Sequence, residues 1–267
     1  MHSVTQQDQQ RPWQDGHSFG LALLLAALFL LEVFLPAQLR LWHWLLNLLL
    51  LALFAVLVGH GVTGFWLGLL IDSRNKLSLS RLQMTLWTVL ILSAYLTAVL
   101  VNIDQEVPAP LAIAVPVELW LLMGISTTAL VSSPLIVQAK TAQPSSEDEQ
   151  ATTLQRLQGQ AVDVSRVAIH GRMVVNAAPE SASWSDLFRG SDTSNAGLLD
   201  LGKLQMFFFT LILLLAYGAG IADLFGHEAG PISALPALDA GMVALLGISH
   251  AGYLVSKAAP LQGRGLM

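Results

Sequence analysis

Apolar residues in this chain come in runs of about twenty, the length a helix needs to cross a ~30 Å hydrocarbon layer. The first run covers 19–35 (FGLALLLAALFLLEVFL) and stops at Pro36. The second opens at Leu41 and stays apolar to Ile71. As helix that is about 46 Å, too long for one upright span. Gly59, Gly61 and Gly64 interrupt it. The pattern therefore predicts a span over 41–60, a kink, and an interfacial helix, GFWLGLLID, ending at Asp72. Four more spans are predicted at 81–101, 112–136, 203–224 and 238–258. The strict alternation of an outer-membrane barrel is absent. The expected fold is all-α: a polytopic helical membrane protein with six transmembrane helices.

Composition strengthens this reading. The chain is 54% hydrophobic and 12% charged, with mean hydropathy +0.61. That charged fraction is about half the usual value for a soluble domain. A signal peptide fits the first run less well than a span, since Arg11 is the one early cation and no small-residue cleavage site follows. Charge placement sets the expected orientation. Arg74, Lys76 and Arg81 lie between spans two and three. Lys140, Arg156, Arg166, Arg172, Arg189 and Lys203 follow span four, and Lys257 and Arg264 follow span six. Loops 102–111 and 225–237 hold no Lys or Arg, and Arg40 is the exception between spans one and two. Both termini are thus expected in the cytoplasm, in the inner (plasma) membrane of a prokaryote.

One segment is written twice. Residues 77–95 read LSLSRLQMTLWTVLILSAY, and 199–217 read LDLGKLQMFFFTLILLLAY, with nine of nineteen positions identical. Gly124-Ile125-Ser126 in span four is echoed by Gly247-Ile248-Ser249 in span six. The predicted unit is a duplicated two-helix hairpin, a parallel repeat about an axis along the membrane normal. The resulting organisation is a cytoplasmic N-terminal tail (1–18), an N-terminal transmembrane hairpin with its interfacial helix (19–72), and a first repeat hairpin (77–137). A cytoplasmic insert (138–200), a second repeat hairpin (201–258) and a cytoplasmic tail (259–267) follow. Within the insert, TAQPSSEDEQ reads as a flexible linker. RVAIHGRMVVN (166–176) reads as a short hairpin or strand pair.

SLSRLQMTLWT, WSDLFRG, LGKLQMFFFT and LGISHAGYL together resemble an uncharacterised family of prokaryotic multi-pass membrane proteins, over roughly 70–258. The resemblance implies the architecture and carries no activity.

Candidate chemistry falls in three places. At the cytoplasmic entry lie Arg81, Gln83, Lys203 and Gln205. Ser80-x-x-Gln83 has capping-box spacing, with Gly202 and Gln205 as its weaker copy. The alternative puts Gln83 and Gln205, with Trp87/Phe209 and Thr88/Thr210, at a vestibule or helix interface. Arg81 and Lys203 oppose the helix dipole, so anionic headgroups or carboxylates such as Asp186 or Asp200 are expected to offset them. Near mid-membrane lie Ser126, Thr127, Thr128, Ser249 and His250. Gly124/Thr128 and Gly247/Ala251 permit close helix packing, whereas an intramembrane histidine marks a functional candidate. On the outer side Asp104, Glu106, Glu118, Asp223, Glu228 and Asp239 make an acidic vestibule that would attract cations.

No catalytic signature is present, neither GxSxG, Walker A nor HExxH, and an enzyme is the less favoured class. No cofactor, resident metal or nucleic-acid partner is expected, although Asp223, His227 and Glu228 come nearest to a metal set. The expected partners are the lipid bilayer, further copies of the chain and a cytoplasmic protein. Two functions remain: a homo-oligomeric channel or small transport protein for cations, or a membrane anchor or scaffold that binds a cytoplasmic partner through 138–200.

Overall fold

The computed structural model describes residues 13–35, 39–227 and 230–258, without the side chains of Glu32, Val33 and Ser256. Its helices are α1 (Asp15–Phe34), α2 (Arg40–Thr63), α3 (Leu79–Asp104), α4 (Val117–Thr141), α5 (Glu147–Gly159), α6 (Leu201–His227) and α7 (Ala240–Ala258). One antiparallel pair, β1 (Val167–His170) and β2 (Met173–Asn176), lies between α5 and α6. Four helices, α2, α3, α4 and α6, are long and apolar enough to cross a membrane. Asp15–Leu31 in α1 and Ala240–Val255 in α7 are shorter apolar stretches. Phe19, Phe29, Leu215, Ile248 and Val255 leave the bundle surface more than half exposed. Such a surface is stable against lipid and not against water. The apolar helices are those of an integral membrane protein.

Helix α3 is the hub. Half of its most apolar stretch is buried, against 17% for α2 and α4 and 28% for α6. Ala94 and Ala98 are fully enclosed and, one turn apart, let neighbouring backbones approach. Around them pack Trp44 of α2, Leu119 and Leu122 of α4, Leu213 and Ile221 of α6, and Leu246 of α7. Polar groups stitch α2 to α3. Trp44 Nε1 donates to Ser93 Oγ (3.1 Å) and Asn47 Nδ2 to Thr97 Oγ1 (3.0 Å).

The expected interfacial helix after α2 does not form. Gly64 ends α2 in a left-handed conformation (φ +79°), with its N–H on His60 O at 2.7 Å. The chain then folds back as one 3₁₀ turn, Gly68–Leu70. A Cβ on Gly68 would collide with Thr63 Oγ1, and one on Gly59 would lie 2.8 Å from Leu69. The close approach these glycines allow replaces a helix along the interface. At the far end of the bundle the α3–α4 and α6–α7 loops are joined. Ala114 and Ala234 form a parallel bridge. Asn102 donates to Ile232 O and accepts from Ile232 N, both at 2.8 Å.

The insert is folded and seated on the helix ends. The acidic stretch expected as a flexible linker is instead the start of α5, capped by Ser146 Oγ on Glu149 N. Three acids in the first turn suit a helix N-terminus, so a composition that suggests disorder specifies a helix start. The strand pair forms as expected over 167–176. Its turn holds Gly171 (φ +56°), where a Cβ would overlap Thr141 O at the end of α4.

Candidate functional site

The entry turn departs from the expected capping box. Helix α3 begins earlier, with Ser78 at the N-cap position, so Ser80 and Gln83 are buried inside the helix. Gln83 serves the helix interface, the alternative use of this residue. Its copy Gln205 is exposed. At α6 the cap is Asp200, whose Oδ1 accepts from Lys203 N at 3.1 Å.

Gln83 leads directly to the histidine. His250 Nδ1 faces Leu246 O at 3.0 Å, and Nε2 faces Gln83 Oε1 at 3.1 Å. Gln83 Nε2 donates to Thr210 Oγ1 (2.5 Å), which donates to Met206 O (2.8 Å). This chain ties α7, α3 and α6 together. Leu246 O only accepts, so His250 Nδ1 carries a hydrogen. With Gln83 in this orientation Nε2 would have to carry one too. A neutral ring is satisfied when the Gln83 amide turns over and presents its NH₂ to Nε2. Thr210 then gives its hydrogen to Gln83 instead of Met206. One proton gained or lost at His250 therefore resets two neighbouring groups.

The other mid-membrane candidates do not join this chain. Thr127 and Thr128 are exposed and donate to Met123 O and Gly124 O in their own helix, both at 2.8 Å. Ser126 is buried, Ser249 is half-buried, and Ile125 lies against Gly247. On the far side Asp104, Glu106, Asp223 and Asp239 are exposed and Glu118 is half-buried, while Glu228 lies outside the described residues. Asp239 acts locally, its Oδ1 accepting from Met242 N at the start of α7 (3.1 Å). Asp223 pairs with His227 at 3.6 Å. Among the described residues no three His, Asp or Glu side chains gather as a metal set.

The strongest electrostatics lie where the insert meets the bundle, among cations of which Arg74, Lys76 and Lys140 served in the sequence only to orient it and Arg81 and Lys203 were entry candidates. Arg74 grips Asp72 through Nε (2.9 Å) and Nη2 (2.5 Å), and its Nη1 donates to Ser191 Oγ of the insert (2.6 Å). Burial alone would raise the Asp72 carboxyl. The charge and hydrogen bonds of Arg74 outweigh it and hold Asp72 below its ordinary value. Lys140 at the end of α4 pairs with Asp192 at 2.9 Å, both buried. Burial acts against the Asp192 carboxylate too, but the bonds from Lys140 and Ser194 prevail and lower it. Lys203 Nζ is buried and donates to Asp186 O (3.1 Å) and Arg189 O (2.6 Å). The cation at the head of α6 is thus answered by carbonyls, with the Asp200 carboxylate capping beside it. Arg81 is half-buried and reaches Leu69 O at 3.4 Å. Lys76 has a different fate: burial pushes its ammonium down to about 8, with Arg74 and Arg189 adding repulsion and Asp186 opposing it.

A histidine pair also escaped the sequence. His17 of α1 and His60 of α2 meet at 2.9 Å through Nε2 and Nδ1. Gln14 N donates to His17 Nδ1 (3.0 Å), so His17 Nε2 is the donor to His60. The two positions are 43 residues apart, and no local spacing signals the contact.

The geometry defines a class, a bundle of apolar helices compatible with an integral membrane protein, with a folded polar insert locked to one end. Comparison with known protein families, characterised proteins and solved structures finds no match for this chain.

Proposed function

We propose that this protein is a membrane anchor or scaffold that presents residues 138–200 to a cytoplasmic partner. One observation carries the reading. The insert is folded and joined to two helix ends and the loop before α3 by buried polar contacts: Lys140–Asp192, Lys203 on the 186 and 189 carbonyls, and Arg74–Ser191. Asn75 and Asn176 add a reciprocal pair, each side-chain amide on the other's carbonyl at 2.9 and 2.8 Å. A surface so fixed loses little further entropy on binding, which favours affinity. On this reading six helices cross the inner membrane of a prokaryote, both termini and the insert are cytoplasmic, and 77–137 and 201–258 are duplicated hairpins. The motif resemblance supports the same arrangement.

The test is photo-crosslinking in cells from exposed α5 positions such as Glu147 and Thr152. The expected outcome is one discrete adduct with a soluble protein, lost when Asp148 and Gln155 are changed together to Ala. Uniform failure to crosslink across the exposed insert would sink the scaffold reading.

A second reading is cation transport by a homo-oligomer. It is favoured by the His250–Gln83–Thr210 chain, whose two hydrogen-bond patterns differ by one proton. Proton or metal-cation flux in proteoliposomes, abolished by His250→Gln, would establish it in place of the scaffold.

A further inference from the structure

We propose that the cleft between the ends of α4 and α7 and the head of α6 is a binding site for a phosphate group. The cleft has a volume of about 390 Å³ and is lined by Lys140, Lys203, Lys257, Asp192, Asp200 and Tyr253, among others. Three of the chain's lysines therefore open into one space. Lys140 is neutralised by Asp192. Lys203 and Lys257 pair with no carboxylate among the described residues. Lys203 has two carbonyls. Lys257 has the Ser133 hydroxyl at 3.0 Å and lies 5.5 Å from the centre of the Tyr253 ring.

The surroundings supply only part of the balancing negative charge: Asp192 and Asp200 also line the cleft, but Asp192 is taken by Lys140 and Asp200 caps α6. Lys257 lies within electrostatic reach of Arg74, Lys203 and Lys140, with Asp72 as the acid nearby. Lys203 feels Arg74 and Lys76 against Asp200 and Asp186. The junction thus gathers Arg74, Lys76, Lys140, Arg189, Lys203 and Lys257 around Asp72, Asp186, Asp192 and Asp200. Arg172 and Glu149 pair with each other at its edge and leave the excess unchanged. Uncompensated cations withdrawn from water are costly unless an anion joins them. The amino-terminal turn of α6 borders the same cleft through Leu201, Gly202 and Lys203, adding its dipole to the attraction.

Phosphate can reach this site from two sources. Basic pockets between membrane helices take anionic lipid headgroups, and Leu199 and Leu201 on the rim are exposed apolar side chains that suit an acyl chain. A free phosphate from solution has the same headgroup chemistry without the chain. The site stands whether the insert recruits a partner or the bundle conducts.

The experiment uses the full chain in a neutral maltoside detergent. Acetylation of Lys257 is followed by mass spectrometry, and the thermal midpoint is read in parallel. One arm adds dioctanoyl phosphatidylglycerol. The other adds inorganic phosphate, against chloride at equal ionic strength. Saturable protection of Lys257 by the lipid alone identifies a headgroup site, and protection by phosphate beyond that of chloride identifies a free-anion site. Lys257→Gln weakens the midpoint response about five- to tenfold, the scale expected for one basic residue at an anionic headgroup. Arg166→Gln, at an exposed pair remote from the cleft, leaves it unchanged. Equal labelling of Lys257 with either probe and with chloride overturns the proposal, and that readout needs no variant to fold.

Discussion

The two LQM segments share nine of nineteen residues, yet their matched side chains sit in different surroundings. Gln83 is buried at the meeting of three helices; Gln205 is exposed. Met206 is fully enclosed, while Met84 is half-buried. Tyr95 reaches Leu111 O at 3.1 Å, whereas Tyr217 is buried with no hydroxyl partner among the described residues. The difference comes from neighbours. Helix α3 is covered by α2 more fully than α6 is, and α6 receives the insert directly at its head. A repeated sequence fixes helices and their ends; which face becomes core depends on what is added around each copy.

That contrast can be broken deliberately. The largest effect is expected from Arg74→Ala, just before the first copy. It strands the buried Asp72 carboxylate and removes the bond to Ser191. Leaving one partner of a buried ion pair costs about 3–5 kcal/mol. The thermal midpoint should fall sharply, and limited proteolysis should cut the insert first.

Lys76→Met should act in the opposite direction. The folded-state ammonium titrates near 8, against an ordinary 10.5, so the unfolded chain binds more protons between those values. Stability of the wild type in phosphate-free detergent should therefore rise as pH goes from 8 to 10.5. Removing the charge should add on the order of 2–3 kcal/mol at pH 7 and make that rise shallower. A wild-type profile that falls over the same window would contradict the sign.

Gln83→Ala should cost about 2 kcal/mol, because His250 and Thr210 each lose a buried partner. Gln205→Ala, the matched change at an exposed site, should shift stability by less than about 0.5 kcal/mol. Equal effects of these two substitutions, measured as thermal midpoints, would refute the unequal environments of the two copies.

The helices were legible because runs of about twenty apolar residues have few alternatives. The 166–176 hairpin was legible from β-branched residues around His170-Gly171. The cap spacing at Ser80 misleads because Ser-x-x-Gln also fits a helix that starts earlier, after Ser78. The start of α5 is readable in Ser146-x-x-Glu149, but its acidic, proline-containing context favours a linker. The junction was legible only at Lys203, where Asp186 and Asp200 were expected nearby; the partners of Arg74 and Lys140 were not. Lys140, Lys203 and Arg74 count equally toward orientation whether they face water or lie under a folded insert. His250 and Gln83 are 167 positions apart, and periodicity carries no information at that range.

The wedge of Gly171 against the last turn of α4 has a mechanical consequence. The hairpin tip meets Thr141 O so closely that no side chain fits between them. Two turns back along the helix, Pro134 removes a backbone hydrogen bond from α4, which makes that point the compliant joint of an otherwise stiff rod. A load on the hairpin tip is therefore carried first by the last two turns of α4, between Thr141 and the backbone bond missing at Pro134.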